Sequence, residues 1–273
     1  MRLFPVVASV TSSPEGLDGE IEMSDQIPGR AHAWLEIATR TPDAATKFYT
    51  ELFGWGTEIM DMGPEMGNYT MLSHNNHAWA GVMPLEGPHT EGVPPHWAIY
   101  FNVDDVDAAA AKAASLGGQI LAPAFEIEGV GRTALIQDPY GAVCYLFKSV
   151  NPKPEESPED PVAWMELYAG DKQGAIDFYT QVMGWGTEHS TEMDYTMLSV
   201  DGRNFAGVMA MPEVPPHWGV YFSSPNVDDT LAKVKAAGGD AIMEPFDVPT
   251  VGRICVQKDA EGAVFYTITF SGM

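Results

Sequence analysis

The sequence has little positive charge: 14 Lys and Arg stand against 38 Asp and Glu, a formal net charge of −24. A surface of that sign repels the phosphates of nucleic acid and anionic lipid headgroups, which argues against both as partners and reads as a soluble, acidic surface. Cysteine is scarce. Cys144 and Cys255 fall in different predicted strands, and neither has a Cys-x-x-Cys or Cys/His neighbour, so no disulfide framework follows. The N-terminal stretch has an apolar segment broken by Pro5, too short for a spanning helix and weak as a signal peptide. The expected location is the cytoplasm. No Gly-x-Gly-x-x-Gly turn is present; Gly117-Gly118 and Gly238-Gly239 follow helices, where glycine ends a helix. No Ser or Cys sits in a strand-turn-helix elbow, so no nucleophile constellation is visible.

What the chain does have is a repeat. Trp34-Leu35-Glu36-Ile37 returns as Trp164-Met165-Glu166-Leu167, and Phe48-Tyr49 as Phe178-Tyr179, both offset by 130. Tyr69 to Ser73 returns at Tyr195 to Ser199, and Ala80-Gly81-Val82-Met83 at Ala206 to Met209, offset by 126 after a loop deletion. Pro94-Pro95-His96-Trp97 returns as Pro215-Pro216-His217-Trp218, and Gly131-Arg132 as Gly252-Arg253, offset by 121. Order is kept from end to end, so the chain is two copies of one module. The Pro- and charge-rich segment between the copies cannot supply a core and reads as a linker. The expected division is a flexible tail over 1–29, a first domain over 30–150, a linker over 151–160 and a second domain over 161–273.

Within a copy, HAWLEIAT reads as a strand. Thr41 then caps a helix with Pro42 at its first position and Ala45, Phe48, Tyr49 and Leu52 at helical spacing, ended by Gly54. Three short strands follow around IMDM, YTMLS and AWAGVM. The second half repeats the plan with WAIYFNV, an Ala-rich helix capped by Asp104 or Asp105, then QILAPAF, RTALIQ and AVCYLFK. Each domain is thus an α+β arrangement of two βαβββ units.

These pieces resemble the vicinal-oxygen-chelate superfamily, which includes glyoxalase I, extradiol dioxygenases and bleomycin-resistance proteins. The resemblance is carried by Ala-x-x-Phe-Tyr-x-x-x-x-Gly-Trp at Ala45 to Trp55 and Ala175 to Trp185, and by VDDVDAA from Val103 with NVDDTLA from Asn226. It also rests on the turn Asp138-Pro139-Tyr140-Gly141, altered to Asp259-Ala260-Glu261-Gly262 in a second copy that has drifted. The tandem form is similar to a bacterial group of two-domain glyoxalase-like proteins. The resemblance implies tandem domains, each a curved mixed sheet enclosing a cavity. It also implies that paired domains complete their cavities, within one monomeric chain or else across a homodimer.

In that family, enzymes hold a divalent metal with His, Gln or Glu. The matching positions here are Trp34, Ala98 and Tyr145, and in the second copy Trp164, Gly219 and Tyr266. Indole, methyl and phenol are not the imidazole and carboxylate donors such ions take, so the expectation is no metal and no other cofactor. The alternative is a displaced divalent ion, such as Fe, Mn, Ni or Zn, at His32 and His96.

Candidate catalytic groups are Glu36 and Glu166, carboxylates in aromatic surroundings that would raise their pKa. Tyr145 and Tyr266 are candidate donors to an oxyanion, and His96 and His217 candidate proton carriers. The plainer alternatives are that each Glu pairs with Arg132 or Arg253 or a backbone donor, and that Pro-Pro-His-Trp is a device for starting a strand. Ligand-lining candidates are Trp34, Trp97, Tyr69, Met71, Tyr100 and Arg132, with Trp164, Trp218, Tyr195, Tyr221 and Arg253. The leading expectation is a glyoxalase-like protein binding a small apolar or aromatic molecule. The alternatives are a lyase, isomerase or dioxygenase using the Glu or a displaced metal, and a non-catalytic scaffold.

Overall fold

The computed structural model describes residues 31–63, 67–151, 161–190 and 194–271. The expected tail over 1–29 and linker over 151–160 lie almost wholly outside these. The first repeat runs β1 (His32–Thr39), α1 (Pro42–Phe53), β2 (Gly56–Asp61), β3 (Asn68–His74) and β4 (His77–Pro84). Its second unit is β5 (His96–Asn102), α2 (Val106–Ser115), β6 (Gln119–Ile127), β7 (Gly131–Gln137) and β8 (Val143–Ser149). The second repeat copies this as β9 (Val162–Ala169), α3 (Lys172–Met183), β10 (Gly186–Ser190), β11 (Tyr195–Val200) and β12 (Arg203–Ala210). It ends with β13 (His217–Ser223), α4 (Val227–Ala236), β14 (Asp240–Val248), β15 (Gly252–Lys258) and β16 (Val264–Phe270).

Each repeat forms one open eight-stranded sheet, in the order β2-β3-β4-β1-β5-β8-β7-β6 and β10-β11-β12-β9-β13-β16-β15-β14. Thus β1 lies at the centre, parallel to β4 and antiparallel to β5, which runs parallel to β8. This is the α+β tandem of βαβββ units.

Strand alternation gives each sheet two faces. On one face Leu35, Ile37, Trp97, Ile99, Phe101 and Leu146 join α1, α2 and their second-repeat counterparts in a single core that crosses the repeat boundary. Phe101 packs edge-on against Trp185 and Trp218 at 4.9 and 4.8 Å, and Phe222 against Trp55 and Trp97 at 5.2 and 5.0 Å. Helix α1 packs beside α4, and α2 beside α3. The repeats therefore share one hydrophobic core, whose burial from water is the main force holding them together. The opposite face of each sheet carries its own small aromatic cluster.

Helix ends follow the local chemistry with one exception. Asp105 accepts from Ala108 N at 3.0 Å and caps α2, and Gly54 takes the left-handed conformation (φ 73°) that closes α1. Thr41 sits at the N-cap of α1 but makes no cap bond. Its hydroxyl donates instead across the repeat boundary to Glu261 Oε2 at 3.1 Å, and Arg40 N reaches the same carboxylate at 3.0 Å.

The altered turn of the second copy has not lost its form. Asp138 Oδ1 accepts from the backbone N–H groups of Tyr140, Gly141 and Ala142. Asp259 Oδ1 does the same from Glu261, Gly262 and Ala263. The carboxylate fixes this turn with or without the following proline. Asp259 also accepts from the buried Tyr49 hydroxyl at 3.1 Å, so the turn ties one repeat to the other.

Candidate functional site

The aromatic face of the first sheet is built around Glu36, in the middle of β1. Its register places it opposite Gly81 of β4 and Ala98 of β5. The Tyr69 hydroxyl, from β3, donates to Oε1 at 2.5 Å, and the Tyr100 hydroxyl, from β5, donates to Oε2 at 2.5 Å. Trp34 Nε1 donates in turn to the Tyr69 oxygen at 2.9 Å. Tyr145 of β8 stacks on Tyr100 with ring centroids 4.1 Å apart. Burial pushes the Glu36 carboxyl above the usual range, against the pull of the two phenol hydrogen bonds.

Gly81 makes this possible. A Cβ there would lie 1.6 Å from the Tyr69 oxygen, and one at Gly207 would lie 1.7 Å from the Tyr195 oxygen. Only a residue without a side chain lets the tyrosine cross β4 to reach the glutamate. Both glycines belong to the recurring Ala-Gly-Val-Met motif, a signal present in the sequence but not interpretable there without the strand register.

The second face repeats the relay and then departs from it. Trp164 Nε1 donates to Tyr195, whose hydroxyl donates to Glu166 Oε2 at 2.7 Å. Here, however, the Tyr221 hydroxyl lies 2.8 Å from that of Tyr168. Glu166 Oε1, fully buried, has no hydrogen-bond partner among the described residues. Burial pushes the Glu166 carboxyl up to about 8, opposed by the Tyr195 bond. Tyr168 stands where the first repeat has Ala38, and sequence reading gave it no role.

The remaining candidates divide. Met71 lies half-buried on the first aromatic strand set, and Tyr266 stacks on Tyr221 at 4.5 Å with its hydroxyl 3.3 Å from His217 Nε2. Burial holds His217 below the usual imidazole value. His96 and His217 each place Nδ1 2.8 Å from the carbonyl of the proline two residues before, bracing the strand start. Trp97 and Trp218 are on the other face, in the shared core, donating to Tyr49 and Tyr179 at 3.0 Å; alternation from Ala98 and Gly219 requires this, and they do not line the aromatic faces. Arg132 and Arg253 do not meet the glutamates either. Arg132 pairs with Asp107, and Arg253 with Asp228 and Asp247, at the helix-bearing edge of each sheet.

The positions that hold a metal in the resembled family, Trp34, Ala98 and Tyr145, do converge here on adjacent strands β1, β5 and β8. Their side chains offer no ligating donor set, and the neighbouring Glu36 spends both oxygens on phenols. The residues present do not fit a divalent ion. The displaced pair fails on distance. His32 is opposite Phe101 and His96 is opposite Ala38, six residues apart along β1, or about 20 Å at strand rise. Among the described residues, no group of three or more His, Cys, Asp or Glu is placed to hold a metal, and no helix is long and apolar enough to cross a membrane. A separate groove of about 510 Å³ lies between α1 and α4, bordered by Thr41, Phe48, Lys233 and Glu261; it contains none of the aromatic-face residues.

Comparison with known proteins agrees with this architecture. The family model of the Glyoxalase/Bleomycin resistance protein/Dioxygenase superfamily matches residues 31–144 and again 162–266. The chain is 39% identical over 240 residues to “Putative glyoxylase CFP32” of Mycobacterium tuberculosis (strain CDC 1551 / Oshkosh), covering 85% of this chain and 92% of that protein. It is 30% identical over 261 residues to “Anthracycline biosynthesis protein DnrV” of Streptomyces peucetius, covering 88% and 93%. Among solved structures, the Mn(II)-bound glyoxalase from Novosphingobium aromaticivorans superposes with a TM-score of 0.58 at 16% identity, over 88% of this chain and 82% of that one. An extradiol ring-cleaving dioxygenase from B. fuscum superposes with a TM-score of 0.59 at 14% identity, over 91% and 75%; at these identities the likeness is one of fold. With the family match covering both repeats, the chain belongs to the glyoxalase/bleomycin resistance/dioxygenase superfamily, as a tandem of two of its domains.

Proposed function

We propose that this protein binds a small apolar or aromatic molecule on its aromatic sheet faces, without the metal that enzymes of this fold use. The observation that carries the reading is the replacement of the ligand positions by Trp34, Ala98 and Tyr145, together with the closure of Glu36 by two tyrosine hydroxyls at 2.5 Å. A carboxyl so enclosed presents a nearly apolar, ring-lined surface. Flat aromatic molecules gain from it both area burial and ring stacking. One relative is named for anthracycline biosynthesis, and an anthracycline is itself a fused-ring aromatic.

The test has two arms. Elemental analysis of protein purified without chelators, from medium supplemented with iron, manganese, nickel and zinc, is expected to find no stoichiometric metal; finding one would overturn the metal-free reading. Thermal-shift measurements with benzene, indole, naphthalene and phenol are expected to raise the Tm, and no shift with any of them would overturn the binding reading.

A second reading, proton transfer by Glu166 or Glu36 in a lyase or isomerase, is favoured by the unpartnered Glu166 Oε1 and its pKa near 8. On that reading Glu36→Gln and Glu166→Gln abolish turnover of a substrate once found. Unchanged activity would remove it.

A further inference from the structure

The two aromatic faces match at Trp34 and Trp164, Glu36 and Glu166, Tyr69 and Tyr195, Tyr100 and Tyr221, and Tyr145 and Tyr266, but beside the glutamate they differ at a linked pair. Where the first repeat has Ala38 and Ala98, the second has Tyr168 and Gly219, in the same strand register: Ala38 opposite His96 and Tyr168 opposite His217. The Tyr168 ring is buried against the face. It stacks on His217 at 4.8 Å and on Tyr266 at 5.6 Å, and its hydroxyl is 2.8 Å from the Tyr221 hydroxyl. Gly219 makes room for it, since a Cβ there would come within 2.7 Å of the Tyr266 ring and 3.1 Å of the Tyr168 ring. The second face is filled accordingly: Trp164, Met197 and Tyr266 are 1%, 3% and 4% exposed. Their counterparts Trp34, Met71 and Tyr145 are all half-buried.

We infer that Tyr168 occupies in the second repeat the place a ligand takes in the first, so that of the two aromatic faces the one at Glu36 is receptive, and that it selects a phenolic ring. This rests on the aromatic-binding reading above and narrows it to one of the two faces and to a ligand class. The groups that hold the Tyr168 ring and hydroxyl recur around Ala38. Tyr145 offers the stacking surface and His96 stands beside it. The Tyr100 oxygen, already donating to Glu36, still has a lone pair to accept from a phenol hydroxyl. Ala98, 5% exposed, lies at the floor, with Ala38, 0% exposed, beneath it. The Ala38 methyl stands where the ring of Tyr168 joins its own chain, so a phenol free at its para position fits best. The buried acceptor chain Tyr100 to Glu36 discriminates against rings lacking a hydroxyl.

The experiment uses the full chain and 3-fluorophenol as a fluorine NMR probe. Wild type is expected to broaden the probe resonance, with competition by phenol but weak competition by fluorobenzene. Ala38→Tyr, checked for an intact near-UV circular dichroism spectrum, is expected to lose the broadening. Tyr168→Ala is expected to have a lower Tm that phenol restores more than it stabilises wild type, as small molecules fill engineered cavities. Undiminished broadening by folded Ala38→Tyr, or no phenol-dependent rescue of Tyr168→Ala, would overturn the assignment. If Ala38→Tyr does not fold, the rescue of Tyr168→Ala decides alone. Binding of benzene or naphthalene without binding of phenol would sink this inference and leave the aromatic-binding reading standing; binding of none of them would sink both.

Discussion

The Tyr195 hydroxyl donates to Glu166 Oε2 at 2.7 Å, while Oε1 of the same buried carboxyl meets no hydrogen-bond partner among the described residues. In the first repeat both oxygens of Glu36 are met by phenols. One substitution accounts for the difference, because Tyr168 draws the Tyr221 hydroxyl away from the glutamate that Tyr100 serves in the other copy.

This geometry gives a pH signature. Burial pushes the Glu166 carboxyl up to about 8 in the folded chain, against 4.5 for an exposed glutamate, so between these values folding takes up a proton. Stability is therefore highest below the lower value, falls as the pH rises, and levels off beyond the upper one. The slope contributed by this group is about 1.4 kcal/mol per pH unit. Urea unfolding between pH 5 and 9 should show the decline, and Glu166→Gln should flatten it while stabilising the chain at the alkaline end. An unchanged slope in the variant would show that the carboxyl is ionised when folded.

Removing one hydroxyl should have unequal effects in the two repeats. Tyr100→Phe leaves the buried Glu36 Oε2 without its donor and should cost about 1–3 kcal/mol, the penalty for an unsatisfied buried polar group. Tyr221→Phe removes only a hydroxyl–hydroxyl contact with Tyr168 and should cost about 1 kcal/mol. Equal Tm losses in the two variants would mean that Glu36 does not depend on Tyr100.

The repeat boundary has its own buried polar chain. Trp97 Nε1 donates to the Tyr49 hydroxyl at 3.0 Å, and that hydroxyl donates to Asp259 at 3.1 Å in the other repeat. Tyr49→Phe strands a donor and an acceptor together, so a loss of about 1–3 kcal/mol is expected in urea unfolding. The transition should stay single, because the shared aromatic core makes the repeats unfold together. Two resolved transitions in wild type would show that the repeats are energetically independent.

Much of this was readable before the structure. The duplication, the βαβββ order and the strand and helix positions follow from recurring motifs and from capping and turn residues such as Pro42, Gly54 and Asp105. The placing of Glu36 beside Trp34 follows from strand alternation. Alternation applied equally strictly would have separated Trp97 from Ala98, yet the aromatic character of Trp97 drew it into the expected site. Gly81 and Tyr168 were not legible, because their meaning lies in cross-strand register: one lets a tyrosine pass over β4, the other fills a space opened by a glycine on β13. His32 and His96 looked compatible only while the register of β5 against β1 was unknown.

The cross-strand packing of Tyr168 against Gly219 yields the sharpest stability test. Gly219→Ala introduces a Cβ 2.7 Å from the Tyr266 ring and 3.1 Å from the Tyr168 ring, an overpacking that should cost about 1–3 kcal/mol. Tyr168→Ala alone should cost about 3–5 kcal/mol, as loss of a buried aromatic ring does. Together they reproduce the alanine pair of the first repeat, with space for the Tyr266 ring to move away from the new methyl. The double variant should therefore be more stable than the two separate losses imply, by about 1 kcal/mol or more, the coupling expected of residues in contact. Strict additivity of the two losses would show that Gly219 is not there to admit Tyr168.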